Sequence, residues 1–268
     1  MFRIKEKNLL ITPFLFFFFR DVNRFYKVKI QTILSPLVTQ FLYLVIFGVG
    51  LGRVVKISDQ FSYLQFVIPG LVALSLLNQS FQNGSSSIFS MKITGEIIDV
   101  KTTPLGPNQI ILAVACSGLL RGFIVSFLTL IIGEIFHFIF EGSFLPIHHF
   151  FWLIAFLFLG GLVFSIVGFS VGVWSKSFDH IGAISAFIIL PLIYLGGVWF
   201  DLDTLSSFWQ SVSVFNPILY FINGIRYSFL SSSDIPVLKS FVMVSFSLVI
   251  SYCIAYFMTF KGSFQRSF

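Results

Sequence analysis

Charge is scarce in this chain of 268 residues: Lys, Arg, Asp and Glu together make up 10% of it, against about 25% in an ordinary soluble domain. That scarcity excludes a conventional globular protein with a solvated, charged surface. Cysteine is scarcer still, at two residues. Cys116 and Cys253 lie far apart inside apolar runs, with neither metal-site spacing nor a secretory pattern around them, so they read as small buried hydrophobes. The dipeptide Gly-Lys does not occur at all. A phosphate-cradling loop of the form G-x-x-x-x-G-K-[S/T] is therefore excluded, and any ATP that powers this protein is bound by another chain.

What is abundant is hydrocarbon. Apolar residues make up 56% of the chain and aromatics 19%, and 38 residues are phenylalanine. Mean hydropathy is +0.94. A soluble core of this size cannot hide so much apolar surface, whereas lipid tails accept it, so the bilayer is the natural solvent. The formal charge of +6 needs no nucleic-acid partner, because Lys and Arg collect on cytoplasmic loops of membrane proteins.

Six runs meet the requirement of about 20 apolar residues for a spanning helix: 30–51, 62–84, 110–136, 149–174, 181–200 and 237–260. An earlier run, Leu9 to Phe19, resembles a signal peptide, but Arg20, Asp21 and Arg24 follow it where a small-residue cleavage site would stand. As a helix it covers only about 16 Å, half the hydrocarbon core, so residues 1–29 are expected to lie along the interface with their basic residues toward headgroups. The stretch 201–236 is half apolar and broken by Asn216-Pro217 and Asn223-Gly224, which suits re-entrant or interfacial half-helices better than a seventh span. The expected architecture is an all-α polytopic membrane protein: six transmembrane helices, an N-terminal interfacial helix, and re-entrant helices before the last span.

With the N-terminus inside, twelve of the 17 Lys and Arg residues fall on the cytoplasmic side and four outside, with Arg121 left within a span. This bias predicts that both termini are cytoplasmic. It also places residues 85–109 in the cytoplasm and 201–236 outside.

The polar insert "TGEIIDVKTTPLGPNQ" between spans two and three contrasts with its apolar surroundings. Gly95 breaks the chain after span two, "EIIDVK" can form one or two helical turns, and two prolines with a glycine end them. A short helix held rigidly between two spans can pass a push from a docked partner to both. An ordinary connecting loop is equally compatible with these residues.

Other polar residues stand within the spans. Arg121 lies about a dozen residues into span three, where an ionised side chain is costly and usually functional. Glu134 is about 20 Å further along the same helix, too far to pair with it. Arg121 must reach water, a headgroup or another span. In "NQSFQN", Asn78 shares a helical face with Gln82, and Gln79 with Asn83. Such residues line a pathway or, more commonly, bond neighbouring helices. The histidines His137, His148 and His149 are expected outside and His180 inside, so they form no single site; His148-His149 beside Phe150 and Trp152 reads as an interface anchor.

Four segments, "LYLVIFGVGLG" at 42–52, "TGEIIDVKTTPLGP" at 94–107 followed by "LLRGF" at 119–123, "PLIYLGGVWFDLDTL" at 191–205 and "FNPILYFINGIR" at 215–226, stand in an order and spacing that resemble the membrane-spanning subunit of ABC-2 type exporters. The resemblance covers almost the whole chain. It implies two copies of the chain working with two ABC ATPase subunits, which carry the ATP and Mg, while this chain binds no cofactor. It makes the loop between spans two and three a coupling helix seated in the ATPase, matched here by Gly95, Glu96, Asp99, Thr103, Pro104 and Leu105, with Glu96 and Asp99 placed to meet basic residues of that partner. It also aligns Pro191, Gly196, Gly197, Asp201, Asn216, Pro217 and Arg226 with the external re-entrant region, where helix breaking explains them better than substrate contact.

The resulting expectation is a permease exporting a hydrophobic or amphipathic substrate. Two alternatives remain open: an exporter of lipid-linked polysaccharide, whose external aromatics would stack on sugar rings, and a lipid-modifying membrane enzyme using Arg121, Asp201 and Asp203.

Overall fold

The computed structural model describes residues 8–51, 61–96 and 106–260. The described residues are almost entirely helical. α1 spans Asn8–Lys27, and six helices long and apolar enough to cross a membrane follow: α2 (Ile30–Gly48), α3 (Tyr63–Thr94), α4 (Pro107–Glu141), α5 (Phe150–Trp174), α6 (Phe178–Leu195) and α9 (Val237–Thr259). Between the last two lie α7 (Ser207–Val214) and α8 (Pro217–Leu230).

α3 is the central helix, packed along its length against α4 and α5. Its apolar stretch is almost wholly buried, whereas α2, α6 and α9 turn most of theirs outward. The close approach rests on small residues. A Cβ on Gly84 would meet the Ser165 carbonyl oxygen at 2.1 Å, and one on Gly168 would meet that of Phe81 at 2.2 Å. Only hydrogen fits there, as in the small-residue interfaces that let helix backbones touch inside membranes.

α2 and α6 are irregular for a local reason. Each contains a widened π-helical turn, Ile30–Leu34 and Ser185–Ile189, just ahead of a proline, Pro36 or Pro191, whose ring and missing N–H disturb the preceding turn; a second π-helical stretch at the end of α2, Leu44–Leu51, has no proline beside it. Pro191 thus shapes the sixth helix from within its last turns.

The helix ends refine the sequence expectation. α3 runs to Thr94, ten residues beyond the expected end at 84, and stops at Gly95, whose φ of +76° is the left-handed cap that glycine supplies. The chain re-enters helix with Gly106 as the N-cap of α4 and Pro107 at its first turn. α8 is about 21 Å long, too short to cross, and is buried on nearly all sides against α3, α5 and α9. α7 lies at the surface with Phe208 and Trp209 exposed. The buried reading of the cysteines does not hold for Cys253, which is exposed on the outer face of α9, while Cys116 is half-buried. A spanning helix can turn a thiol to lipid as readily as to the core.

Candidate functional site

A buried polar cluster lies where α1 meets the ends of α3 and α4. Asp21 of α1 is completely buried. Its Oδ2 accepts hydrogen bonds from Ser87 Oγ of α3 at 2.6 Å and Ser117 Oγ of α4 at 3.1 Å. Its Oδ1 pairs with Arg20 Nη2 at 2.9 Å and faces Arg24 Nε at 3.9 Å. One carboxylate therefore ties three helices together.

The two arginines extend the network. Arg24 donates to Ser86 Oγ at 3.1 Å and, through Nη2, to Asn83 Oδ1 at 3.1 Å. Asn83 in turn donates to Ser117 Oγ at 3.0 Å. Burial pushes the Arg24 guanidinium below the ordinary arginine value, and the Asp21 carboxylate pulls it back up. Arg20 reaches in the other direction, its Nη1 lying 3.3 Å from Glu96 Oε2 just past the end of α3. The basic residues of α1 were expected to face headgroups; Arg20 and Arg24, which keep 21% and 29% exposure, also turn part of each guanidinium inward, because Asp21 offers them a carboxylate within the protein. Glu96 likewise has a partner within its own chain.

Lys92 secures the same end of the bundle. Its ammonium donates to the Val173 carbonyl and to that of Ser175 at 3.0 Å, where α5 ends and its last carbonyls lack helical donors. The segment from Gly95 to Gly106 is thus bracketed by helices anchored to α1, α4 and α5. Asp99, Thr103, Pro104 and Leu105 of the expected coupling set lie outside the described residues.

Deeper in the bundle, Arg121 finds its partner on another span: Nη2 donates to Gln79 Oε1 at 2.7 Å, with both side chains buried. Its Nε has no hydrogen-bond partner among the described residues. The polar pairs of span two divide by face. Gln79 and Asn83 point inward, while Gln82 donates to Asn78 Oδ1 at 3.4 Å on the more exposed side. Glu134 is occupied elsewhere, accepting from the Leu145 N–H at 3.0 Å.

At the opposite end, the residues of the re-entrant region act on one another. Asn216 caps α8, its Oδ1 accepting from Ile218 N at 3.1 Å, and its Nδ2 donates to the Leu192 carbonyl at 2.6 Å. Pro217 follows at the first helical position, where its missing N–H costs nothing. Arg226 stacks over Phe66 at 3.6 Å and donates to the Gly197 carbonyl at 2.5 Å. Gly197 takes φ +88° in the turn after Gly196. Asp201 starts the following turn, its carbonyl accepting from Thr204 Oγ1 at 2.6 Å. This network joins α8 to α3 and to the end of α6. Of the three residues named for a lipid-modifying enzyme, Arg121 bonds Gln79 and Asp201 bonds Thr204 through its carbonyl, so these two stand in different networks, and the side chain of Asp203 lies outside the described residues. His149, expected to anchor an interface, stacks on Tyr227 with ring centres 4.7 Å apart.

The hub carboxylate escaped sequence reasoning. A signal was present: Asp21 is the lone acid among Arg20, Arg24, Lys27 and Lys29, and an acid three residues before an arginine on a helix is placed to pair with it.

Comparison with known proteins agrees with this architecture. Residues 12–230 match the family model of the ABC-2 type transporter. The chain is 34% identical to the inner membrane transport permease YadH of Escherichia coli K12 over 92% of this chain and 94% of that protein. It is 27% identical to the putative transport permease ycf38 of Cyanophora paradoxa, over 85% of this chain and 80% of that one. It is 24% identical to nodulation protein J of Rhizobium leguminosarum bv. viciae, over 75% of each. With a family match across most of its length and a relative of this similarity covered almost end to end, the chain belongs to the ABC-2 type transporter family, as one of its multi-pass transport permeases.

Proposed function

We infer that this permease is the membrane subunit of an ATP-driven exporter, two copies of which work with two ABC ATPase chains to move a hydrophobic or amphipathic substrate out across a bacterial inner membrane. Both termini and the 95–106 segment face the cytoplasm in this reading, consistent with the twelve-to-four distribution of Lys and Arg.

The observation that carries it is the bridge from Glu96 through Arg20 to Asp21. Gly95, Glu96, Asp99, Thr103, Pro104 and Leu105 form the segment on which the ATPase docks. A displacement of that segment pulls on Arg20, and Asp21 passes it to Ser87 of α3 and Ser117 of α4. ATP binding then biases the spans between inward-open and outward-open arrangements, provided that the docked ATPase favours one of them. Gln79 and Arg121 lie between the same two helices and take part in their relative movement.

The test is copurification of the ATPase with the tagged permease. Leu105→Asp puts an uncompensated charge where the docked surface is dry, at a cost of several kcal/mol. Copurification and substrate-stimulated hydrolysis are expected to fall by more than about tenfold, since 1.4 kcal/mol already gives that factor, while membrane insertion persists. Wild-type levels of both would reduce the segment to a connecting loop. A second reading, export of lipid-linked polysaccharide, draws on the exposed Phe208, Trp209 and Phe215, whose rings are available to stack on sugars. Stimulation of hydrolysis by a glycan-lipid but not by apolar compounds would select it.

A further inference from the structure

Beside the Asp21 hub, α1 and the end of α3 enclose a cleft of about 790 Å³, within the size range of small-molecule sites. We propose that this cleft binds the phosphate headgroup of an anionic phospholipid from the membrane leaflet on that side. The α1 wall changes character along its length. Phe16 and Phe19 begin a single helical stripe that Arg20, Asn23, Arg24 and Lys27 continue, and the end of α3 with Glu96 supplies the facing wall.

The charges do not balance. Three cations line the cleft against one carboxylate, Glu96. Arg20 is already shared between Asp21 and Glu96, and Arg24 between Asp21 and the polar groups of α3. Lys27 is exposed and has no ion pair or hydrogen bond among the described residues. Asn23, one turn earlier, is exposed as well. An ammonium and an amide on one helical face beside Arg24 form a donor set for phosphate oxygens.

The aromatic rim identifies the source of that phosphate. Phe16 is 68% exposed and Phe19 56%, a poor arrangement in water but a natural one against acyl chains. Span α2 begins at Ile30, three residues beyond Lys27, so the basic rim stands at headgroup depth. A soluble anion would use the donors and leave both phenylalanines in water. A phospholipid uses both ends of the stripe, and basic interfacial segments attract anionic lipids in the same way.

The proposal does not depend on an ATPase, so it is tested on the isolated full-length permease in detergent. Native mass spectrometry would follow retention of palmitoyl-oleoyl phosphatidylglycerol and, in parallel, the zwitterionic phosphatidylcholine with the same chains. Wild type is expected to retain the anionic lipid preferentially. Lys27→Glu is expected to lower that retention about tenfold or more, because each cation at a membrane surface contributes a factor of about five. Phe16→Ser with Phe19→Ser lowers it too, while Lys239→Glu, an exposed change far along the chain, leaves it unchanged. Each variant is compared only if it elutes as wild type on gel filtration. Equal retention of the two lipids by wild type, equal losses in Lys27→Glu and Lys239→Glu, or displacement of the lipid by millimolar glycerol phosphate would each overturn the proposal.

Discussion

Asp21 Oδ2 lies 3.1 Å from Ser117 Oγ, so a residue of the N-terminal helix and one in span α4 share a hydrogen bond inside the bundle. The remaining oxygen of the same carboxylate holds Arg20. α1 is therefore fastened to the spans through a charge, not merely laid against them.

Asp21→Asn keeps the size of the side chain and removes the charge, leaving Arg20 and Arg24 facing each other. Breaking a fully buried pair costs about 3–5 kcal/mol. The arginine side chains here retain 21% and 29% exposure, so a loss of about 2 kcal/mol is expected. Thermal unfolding in detergent should show a clearly lowered midpoint, with Ser117→Ala losing about half as much. An unchanged midpoint in Asp21→Asn would remove the hub from the account.

Gly95→Ala tests the helix stop. Nothing lies within 4 Å of the added Cβ, so no clash confuses the result. The cost comes from the backbone alone, at about 1–2 kcal/mol for a side chain in the left-handed region. Insertion should be normal, while ATPase-coupled transport falls as the segment is re-aimed. Full coupling in a normally expressed Gly95→Ala permease would show that the direction of this exit is immaterial.

Gln79 and Arg121 are expected to be interdependent. Gln79→Leu leaves a buried guanidinium without its partner and should destabilise by about 2–3 kcal/mol. Adding Arg121→Met to it should recover most of the loss, since buried charged groups can be replaced by apolar ones of similar volume at little cost. A double-mutant cycle measures the coupling directly, and simple additivity would mean that the 2.7 Å contact contributes nothing.

Arg226→Lys keeps the charge but loses the planar stack on Phe66 and the reach to Gly197. A desolvated cation–π contact contributes about 2 kcal/mol. The re-entrant region should loosen first, seen as faster labelling of a cysteine placed at Ser206 or faster proteolysis after α6. Rates equal to those of the wild type would show that Asn216 alone suffices to hold α8.

What the sequence determined by itself is what contiguous residues encode. Six apolar runs specify six spans, because insertion depends on hydropathy summed along a segment. Gly95, Gly106-Pro107 and Asn216-Pro217 mark helix ends, because caps act on backbone groups a few residues away. Even here α3 outran its apolar stretch. Its last turns, "SSSIFSMKIT", are polar enough to read as loop, yet they are held helical by Ser87 on Asp21 and Lys92 on the end of α5.

Only the tertiary structure decided which polar groups meet. Arg20 and Glu96 are 76 positions apart, Asp21 and Ser117 96, and Gln79 and Arg121 42. No local rule links such pairs, because they depend on how each helix is rotated about its axis. That rotation is set here by glycine contacts such as Gly84 against Ser165 and by the requirement that charges buried in hydrocarbon find one another.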